Sequence, residues 1–257
     1  MPGQISARSE RGPVGDELTS ARRVLGHVLA VARRPAENPR LRLTSYADGL
    51  VAPIVVVQVS ATVGGWPVRA QVAASTARDA ADRAVDDLRH HLDRLCRHLR
   101  AAEIGAITFT TDEWSTAPPV APAGLTGTGS RPGTVVRRKT CSPAVQSIDE
   151  AAFTMDLRDY RFHLFTAEDG HDAVVYRGGP SGYRLIRTQT TTGSPHGSAP
   201  VTVRPQPAHQ STVAEAAAAL TADPTRQFLF FLDPEHRRGR VLYRRYDGHL
   251  GLLAAVP

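Results

Sequence analysis

Residues 89–100 read RHHLDRLCRHLR, four arginines and three histidines around one acid, Asp93. Guanidinium groups at that density suit phosphate oxygens, which they meet with charge and a planar fork of donors. A basic helix C-terminus is also what the macrodipole favours, so a capped, solvated face explains the run equally well. His90, His91 and His98 have no companion carboxylate or cysteine set, so no metal site is expected. Residues 179–182 (GPSG) lack nucleophile-elbow spacing, and no GxGxxG or Walker loop is present to cradle a nucleotide. No nucleophile, base and acid come together. The reading is a binding protein without a cofactor, not an enzyme.

Composition narrows the partner. The chain has 257 residues, a net charge of +6 and a pI near 9.9, which leans towards a polyanion. Lys139 is the only lysine, so arginine carries nearly all the positive charge. Cys96 and Cys141 show no CxxC spacing, which excludes a disulfide framework and a cysteine zinc site. No apolar run reaches bilayer-spanning length, and the polar start does not resemble a signal peptide. A cytoplasmic protein with no membrane partner is expected.

Elements able to position the arginines follow from apolar period. Residues 18–32 place Leu18, Val24 or Leu25, Val28, Leu29 and Ala32 on one helical stripe, ended by Arg33, Arg34 and Pro35. Residues 40–44 alternate leucine with arginine, as a half-buried strand does. Residues 54–62 are β-branched, and Gly64-Gly65 turns them into a strand over 66–73. A long helix over about 76–100 then carries Ala81, Val85, Leu88, Leu92, Leu95 and Leu99 on one seam, with Ser75 or Thr76 as its cap. Its basic end is joined by Arg22, Arg23, Arg33 and Arg34 from the first helix.

Beyond residue 134 the chain repeats itself. FHLFTAEDGHDAVVYRGGPSGYRLI (162–186) answers LFFLDPEHRRGRVLYRRYDGHLGLL (229–253) at an ungapped offset of 67, and SIDEAAFTM (147–155) answers TVAEAAAAL (212–220) at 65. The second copy is therefore expected to be two residues longer between helix and strand. Ser147/Glu150 and Thr212/Glu215 each form a capping box. Each unit reads strand, helix, three strands. One such unit is too small for a comfortable core, and residues 228–232 (FLFFL) are apolar on both faces and need cover from two sides. The two copies are expected to supply it to one another, through a core of Phe162, Leu164, Phe165, Val175, Tyr176, Phe228, Phe230, Leu232, Leu242 and Tyr243.

The fold class expected is α+β: an N-terminal βαβββα domain with two helices on one face of a sheet, then two tandem small βαβββ units packed as an intramolecular pseudo-dimer. The boundaries are 1–12, disordered or a short strand; 13–104, the N-terminal domain; 105–134, a linker; 135–187, repeat 1; 188–200, a second linker; and 201–257, repeat 2. The second linker, if flexible, spans about 20 Å and holds the copies at roughly millimolar effective concentration. A monomer closed in cis is expected.

These residues carry a resemblance. Glu150-Ala151, Phe162 with Phe165, Asp169-Gly170, Val174-Val175-Tyr176-Arg177, and in the second copy Tyr243-Arg244-Arg245, Asp247-Gly248 and Gly251-Leu252-Leu253 resemble the C-terminal domain of long-form ribosome hibernation promoting factors. The arrangement is similar to actinobacterial members with a doubled C-terminal unit. The resemblance implies a stress protein, of hypoxia or dormancy, that sits on the small ribosomal subunit near the decoding region, across the mRNA and tRNA paths. By the same analogy Arg22, Arg23, Arg33, Arg34, Arg89, Arg94, Arg97 and Arg100 contact 16S rRNA, and no DNA is bound. Residues 1–104 depart from the family's lysine-rich pattern, with 15 arginines against 11 acids and no lysine. A regulatory protein-interaction module acting on a transcription or translation factor is the alternative.

Overall fold

The computed structural model describes residues 6–10, 19, 22, 26, 35–48, 51–104, 109, 134–178, 182–190 and 197–256. They form two compact units: residues 1–109 with 156–160, and residues 110–155 with 161–257.

In the first unit, β1 (Ser6–Glu10), β2 (Ala36–Asp48), β3 (Val51–Val63) and β4 (Trp66–Ala74) form a sheet in chain order. β1 runs parallel to β2, from Ser6 opposite Arg40 to Glu10 opposite Thr44, and the remaining pairs are antiparallel. A parallel neighbour requires a crossover, and Thr19, Arg22 and Gly26, which lie between the two strands, are helical. Most of the first helix expected over 18–32 falls outside the described residues. Gly64 and Gly65 take φ of 57° and 82°, the left-handed backbone that the β3–β4 turn requires.

Strand alternation sends Leu41, Leu43, Val57, Val59, Val68 and Ala70 into the core. α1 (Ala77–Glu103) closes over β3 and β4 with Ala81, Val85, Leu88, Leu92 and Leu95 of the expected seam, joined by Ala80 and Ala84, while Leu99 is half-buried. Thr76 caps it, accepting from the Asp79 N–H at 3.2 Å.

In the second unit, α2 (Ile148–Leu157), whose last two residues count with the first unit, and α3 (Val213–Ala222) both start on the expected capping boxes. The sheets hold a correction. β6 (Phe162–Thr166), β7 (Asp172–Arg177) and β8 (Tyr183–Arg187) belong to repeat 1, yet their fourth strand is β9 (Val201–Val203), the start of repeat 2. Reciprocally, β10 (Phe228–Leu232), β11 (Gly239–Arg244) and β12 (Leu250–Ala255) of repeat 2 are completed by β5 (Val135–Cys141), the start of repeat 1.

Both exchanged strands are parallel and symmetric: Val201 lies opposite Tyr183, and Val135 opposite Leu250. Each repeat thus lends its first strand to the other and then returns to its own sheet, through the bridges Val145–Thr166 and Gln210–Leu232. Neither repeat has a complete sheet of its own.

The repeat offset is also corrected. Phe162 pairs with Tyr176 and Phe228 with Tyr243, so β6 and β10 are related by 66 residues and only the later strands by 67. One extra residue of the second copy lies between helix and strand, and the other lies in the β10–β11 turn. The sequence alignment placed both before β10; a one-residue slip of that kind turns every side chain to the opposite face.

With the register set, the two faces of each sheet have distinct tasks. Leu164, Val174 and Ile186 of repeat 1 pack against Phe230, Val241 and Ala255 of repeat 2. On the other face of the second sheet, Phe231, Leu242, Leu250 and Leu252 pack with Ala216 and Leu220 of α3.

Candidate nucleic-acid interface and repeat-pairing face

Arg89, Arg97 and Arg100 are exposed on α1. Steps of eight and three residues put them on one side of the helix, off the leucine seam. Arg89 spends part of its charge on Asp86, at 2.8 Å. Arg94 differs: its side chain is 12% exposed and its Nη1 lies 3.0 Å from Asp156 Oδ2, within the same compact unit. Arg22 is exposed; Arg23, Arg33 and Arg34 lie outside the described residues.

The histidines of the same run part company. The His90 ring meets the Asp86 carbonyl at 2.8 Å, and His91 meets the Arg69 carbonyl at 3.0 Å. His98 stacks on Phe109 at 4.8 Å and stands edge-on to Trp66 at 5.8 Å. Among the described residues no group of three metal-ligating side chains comes together.

Strand alternation adds a feature that sequence reading passed over. The arginines interleaved with Leu41 and Leu43 are Arg40 and Arg42, both exposed, on the sheet face opposite the core. In register beside them stand Ser60 and Arg69, and Gln58 and Gln71. The alternation of leucine with arginine over residues 40–44 is the sequence signal for it.

The pairing face is built around residues that meet their own equivalents. Phe162 and Phe228, equivalent by register, have ring centroids 5.0 Å apart. Two further contacts mirror each other: Phe162 with Tyr243 at 5.8 Å, and Tyr176 with Phe228 at 5.2 Å. Such reciprocity is the signature of an isologous, two-fold contact, here inside one polypeptide. Of the ten residues expected at the core, Phe162, Leu164, Tyr176, Phe228, Phe230 and Tyr243 meet between the repeats. Leu242 packs on the helix side of its sheet, and Phe165, Val175 and Leu232 are buried. Gly251 gives Tyr243 its place, since a Cβ there would run into the phenol ring.

Electrostatics fastens this face asymmetrically. Asp172 is buried, and both of its oxygens are held by Arg238 of the other repeat, Nε at 2.8 Å and Nη2 at 3.1 Å. The Gly239 N–H donates to the same carboxylate at 2.7 Å, and the Thr166 hydroxyl at 3.2 Å. The hydrogen bond and charge of Asp172 hold Arg238 above the usual guanidinium range. Burial, reinforced by Asp172, pushes the nearby Cys141 thiol up and keeps it protonated. Arg161 adds a second cross-repeat contact, donating to the Tyr246 hydroxyl at 3.0 Å with its guanidinium over the ring.

Part of the expected linker 188–200 is tied down. Asp149 on α2 accepts from the Ser198 N–H at 2.7 Å, the Ser198 hydroxyl at 2.9 Å and the Ala199 N–H at 2.8 Å. Thr188 donates to the Asp172 carbonyl. Asp149 thereby guides the chain into the exchanged strand β9.

The described residues thus form an arginine-edged α+β domain followed by a self-paired tandem. Residues 130–185 match the family "Sigma 54 modulation/S30EA ribosomal protein C terminus". Over 245 residues the chain is 38% identical to the "Dormancy associated translation inhibitor" of Mycobacterium tuberculosis strain CDC 1551 / Oshkosh, across 90% of this chain and 81% of that protein. The same figures hold for strain ATCC 25618 / H37Rv. The chain belongs to the family of long-form ribosome hibernation promoting factors.

Two solved structures are also similar. A ribosomal subunit interface protein from Coxiella burnetii is 14% identical over 36% of this chain and 97% of its own, with a TM-score of 0.29. The N-terminal domain of Thermus thermophilus Protein Y is 17% identical over 37% and 99%, also at 0.29.

Proposed function

We propose that this protein inhibits translation by occupancy. The N-terminal domain binds the small ribosomal subunit near the decoding region, arginines against 16S rRNA, and blocks mRNA and tRNA while the ribosome stays intact under stress. The observation that carries this reading is the 38% identity, over nine-tenths of the chain, to a protein named as a dormancy-associated translation inhibitor. The arginine geometry supports it. Arg89, Arg97 and Arg100 line one side of α1, and Arg40 and Arg42 add two exposed cations on the sheet face opposite the core. Arg22 joins them, with Arg23, Arg33 and Arg34 kept on the sequence reading. Arg94, engaged with Asp156, acts in structure more than in contact.

The chain performs no chemistry in this scheme and works in the cytoplasm, where its target is. One chain serves one ribosome, because the face through which two C-terminal domains would pair is already filled by the second repeat of the same chain. The test is a sucrose gradient of purified ribosomes with the protein. Co-sedimentation with small subunits and 70S particles, with translation lost and no ribosome dimers formed, is the expected pattern. A chain that stays at the top of the gradient at low salt sinks the reading.

A further inference from the structure

The pseudo-two-fold passes through one position where the repeats are not alike. Asp172 and Gly239 are equivalent, each the first residue of its second strand and each paired with the last residue of the strand before, Thr166 and Leu232. Their flanking turns match as well: Ala167 donates to His171 at 2.8 Å as Asp233 donates to Arg238 at 2.9 Å, which makes His171 the equivalent of Arg238. The two equivalents, 172 and 239, are in contact. A Cβ on residue 239 would stand 2.9 Å from the Asp172 Cβ and 2.7 Å from the Phe230 ring. The site has room for a side chain on one repeat only.

We infer that the Asp172/Gly239 position, with His171/Arg238 beside it, is a pairing code that lets repeat 1 join repeat 2 and forbids either repeat to join a copy of itself. Consider two copies of repeat 1. Both equivalents are then aspartates, their Cβ atoms collide, and two buried carboxylates face one another without the bidentate arginine. The partner N–H that Gly239 supplies also sits behind a second carboxylate.

Consider next two copies of repeat 2. Both positions are glycine, the carboxylate is gone, and each copy's Arg238 is left without the acceptor that Arg238 holds here through Nε at 2.8 Å and Nη2 at 3.1 Å. A void replaces the Asp172 side chain. Only the mixed pair satisfies sterics and charge together. Natural specificity uses such built-in repulsion as well as attraction. Arg161 and Tyr246 work in the same sense, since their equivalents, Gln227 and Gly179, offer neither the cation nor the ring.

This selectivity stands on the tandem unit alone; only its consequence, that a chain on one ribosome has no C-terminal face for a chain on another, rests on the proposed function. The test is a double-variant cycle in the full chain. Variant A, His171→Arg with Asp172→Gly, gives both repeats the second repeat's residues at the code. Variant B, Arg238→His with Gly239→Asp, gives both the first repeat's. Variant AB carries all four changes and transposes the code across the pseudo-two-fold.

Urea unfolding, light scattering for mass and amide exchange of β5 and β9 are the readouts. A and B should each shift the folding equilibrium roughly a hundredfold or more and expose β5 and β9 to exchange, while AB recovers most of the loss as a monomer. AB lacks the bond from Thr166, whose equivalent is Leu232. The whole cycle is run in a Phe230→Leu background, because a Cβ at 239 would stand 2.7 Å from the Phe230 ring and the equivalent residue of repeat 1 is Leu164. If A or B fails to fold, a folded AB is still the expected result. An AB whose loss equals the sum of A and B, or which does not fold, overturns the code, as does a B variant as stable as wild type. Ribosome co-sedimentation, carried by the other unit, separates failure of the functional reading from failure of the code.

Discussion

Phe162 and Phe228 occupy equivalent places in the two repeats, and their rings meet 5.0 Å apart, so one core of the tandem unit lies between its halves. Two adjacent positions separate this shared core from the local one. Phe230 faces repeat 1, while Phe231 faces α3 of its own repeat. Phe230→Ala and Phe231→Ala should each cost about 3–5 kcal/mol in urea unfolding. Phe230→Ala should also speed amide exchange in β7 of repeat 1. Protection of β7 left unchanged by Phe230→Ala would mean the repeats fold apart.

Asp149 is the hinge pin of one exchanged strand. Three donors from residues 198 and 199 converge on its carboxylate, and a Cβ on Gly197 would come within 2.6 Å of it. The equivalent position in repeat 2 is Ala214. Asp149→Ala should remove about 1–2 kcal/mol and make residues 188–200 markedly more sensitive to protease. Ala214→Asp should do neither. Equal proteolysis of wild type and Asp149→Ala would show that the clamp does not hold the strand.

Local signals carried well from sequence to structure, and non-local ones did not. Both capping boxes were legible because a side chain reaches an N–H three residues away whatever lies outside. The seam of α1 was legible from its period. Strand exchange was not, because VVRRKTC forms the same strand whichever sheet receives it, and the choice is settled by chain ends far apart in sequence. The register of β10 was hidden because FLFFL is apolar on both faces and offers no alternation to align. Arg94 shares the basic face of its neighbours in sequence, and only Asp156, 62 residues on, sets it apart.

Acid should loosen repeat 2 through two carboxylates. Burial alone would raise Asp233, but hydrogen bonds from His236 and the charges of Arg240 and His236 outweigh it and hold the group below 3.8. Burial would raise Asp247 as well, but Arg245, then the His249 N–H and charge, outweigh it and hold the group below the usual carboxylate range. A carboxyl depressed on folding stabilises the native state in full above its unfolded pKa, and that contribution is lost as pH falls through the folded value. Unfolding free energy should therefore be level above about pH 5 and fall progressively below pH 4. Asp233→Asn with Asp247→Asn should flatten the acid limb and lower the plateau. An acid limb unchanged in the double variant would assign it to other groups.

Arginines that grip phosphate and arginines that hold the fold separate by salt. Each phosphate contact that releases a counterion adds about 0.7–0.9 to the slope of log affinity against log salt. If Arg89, Arg97 and Arg100 each contact rRNA, the triple alanine variant should reduce the slope of small-subunit binding by about 2–3, with little change in urea midpoint. Arg94→Ala should do the reverse, because it strips a mostly buried pair of its cation and leaves Asp156, fully buried, without the 3.0 Å partner. Arg40→Ala with Arg42→Ala tests the sheet face opposite the core by the same slope. A triple variant with the wild-type slope would remove α1 from the interface and move the contact to that face.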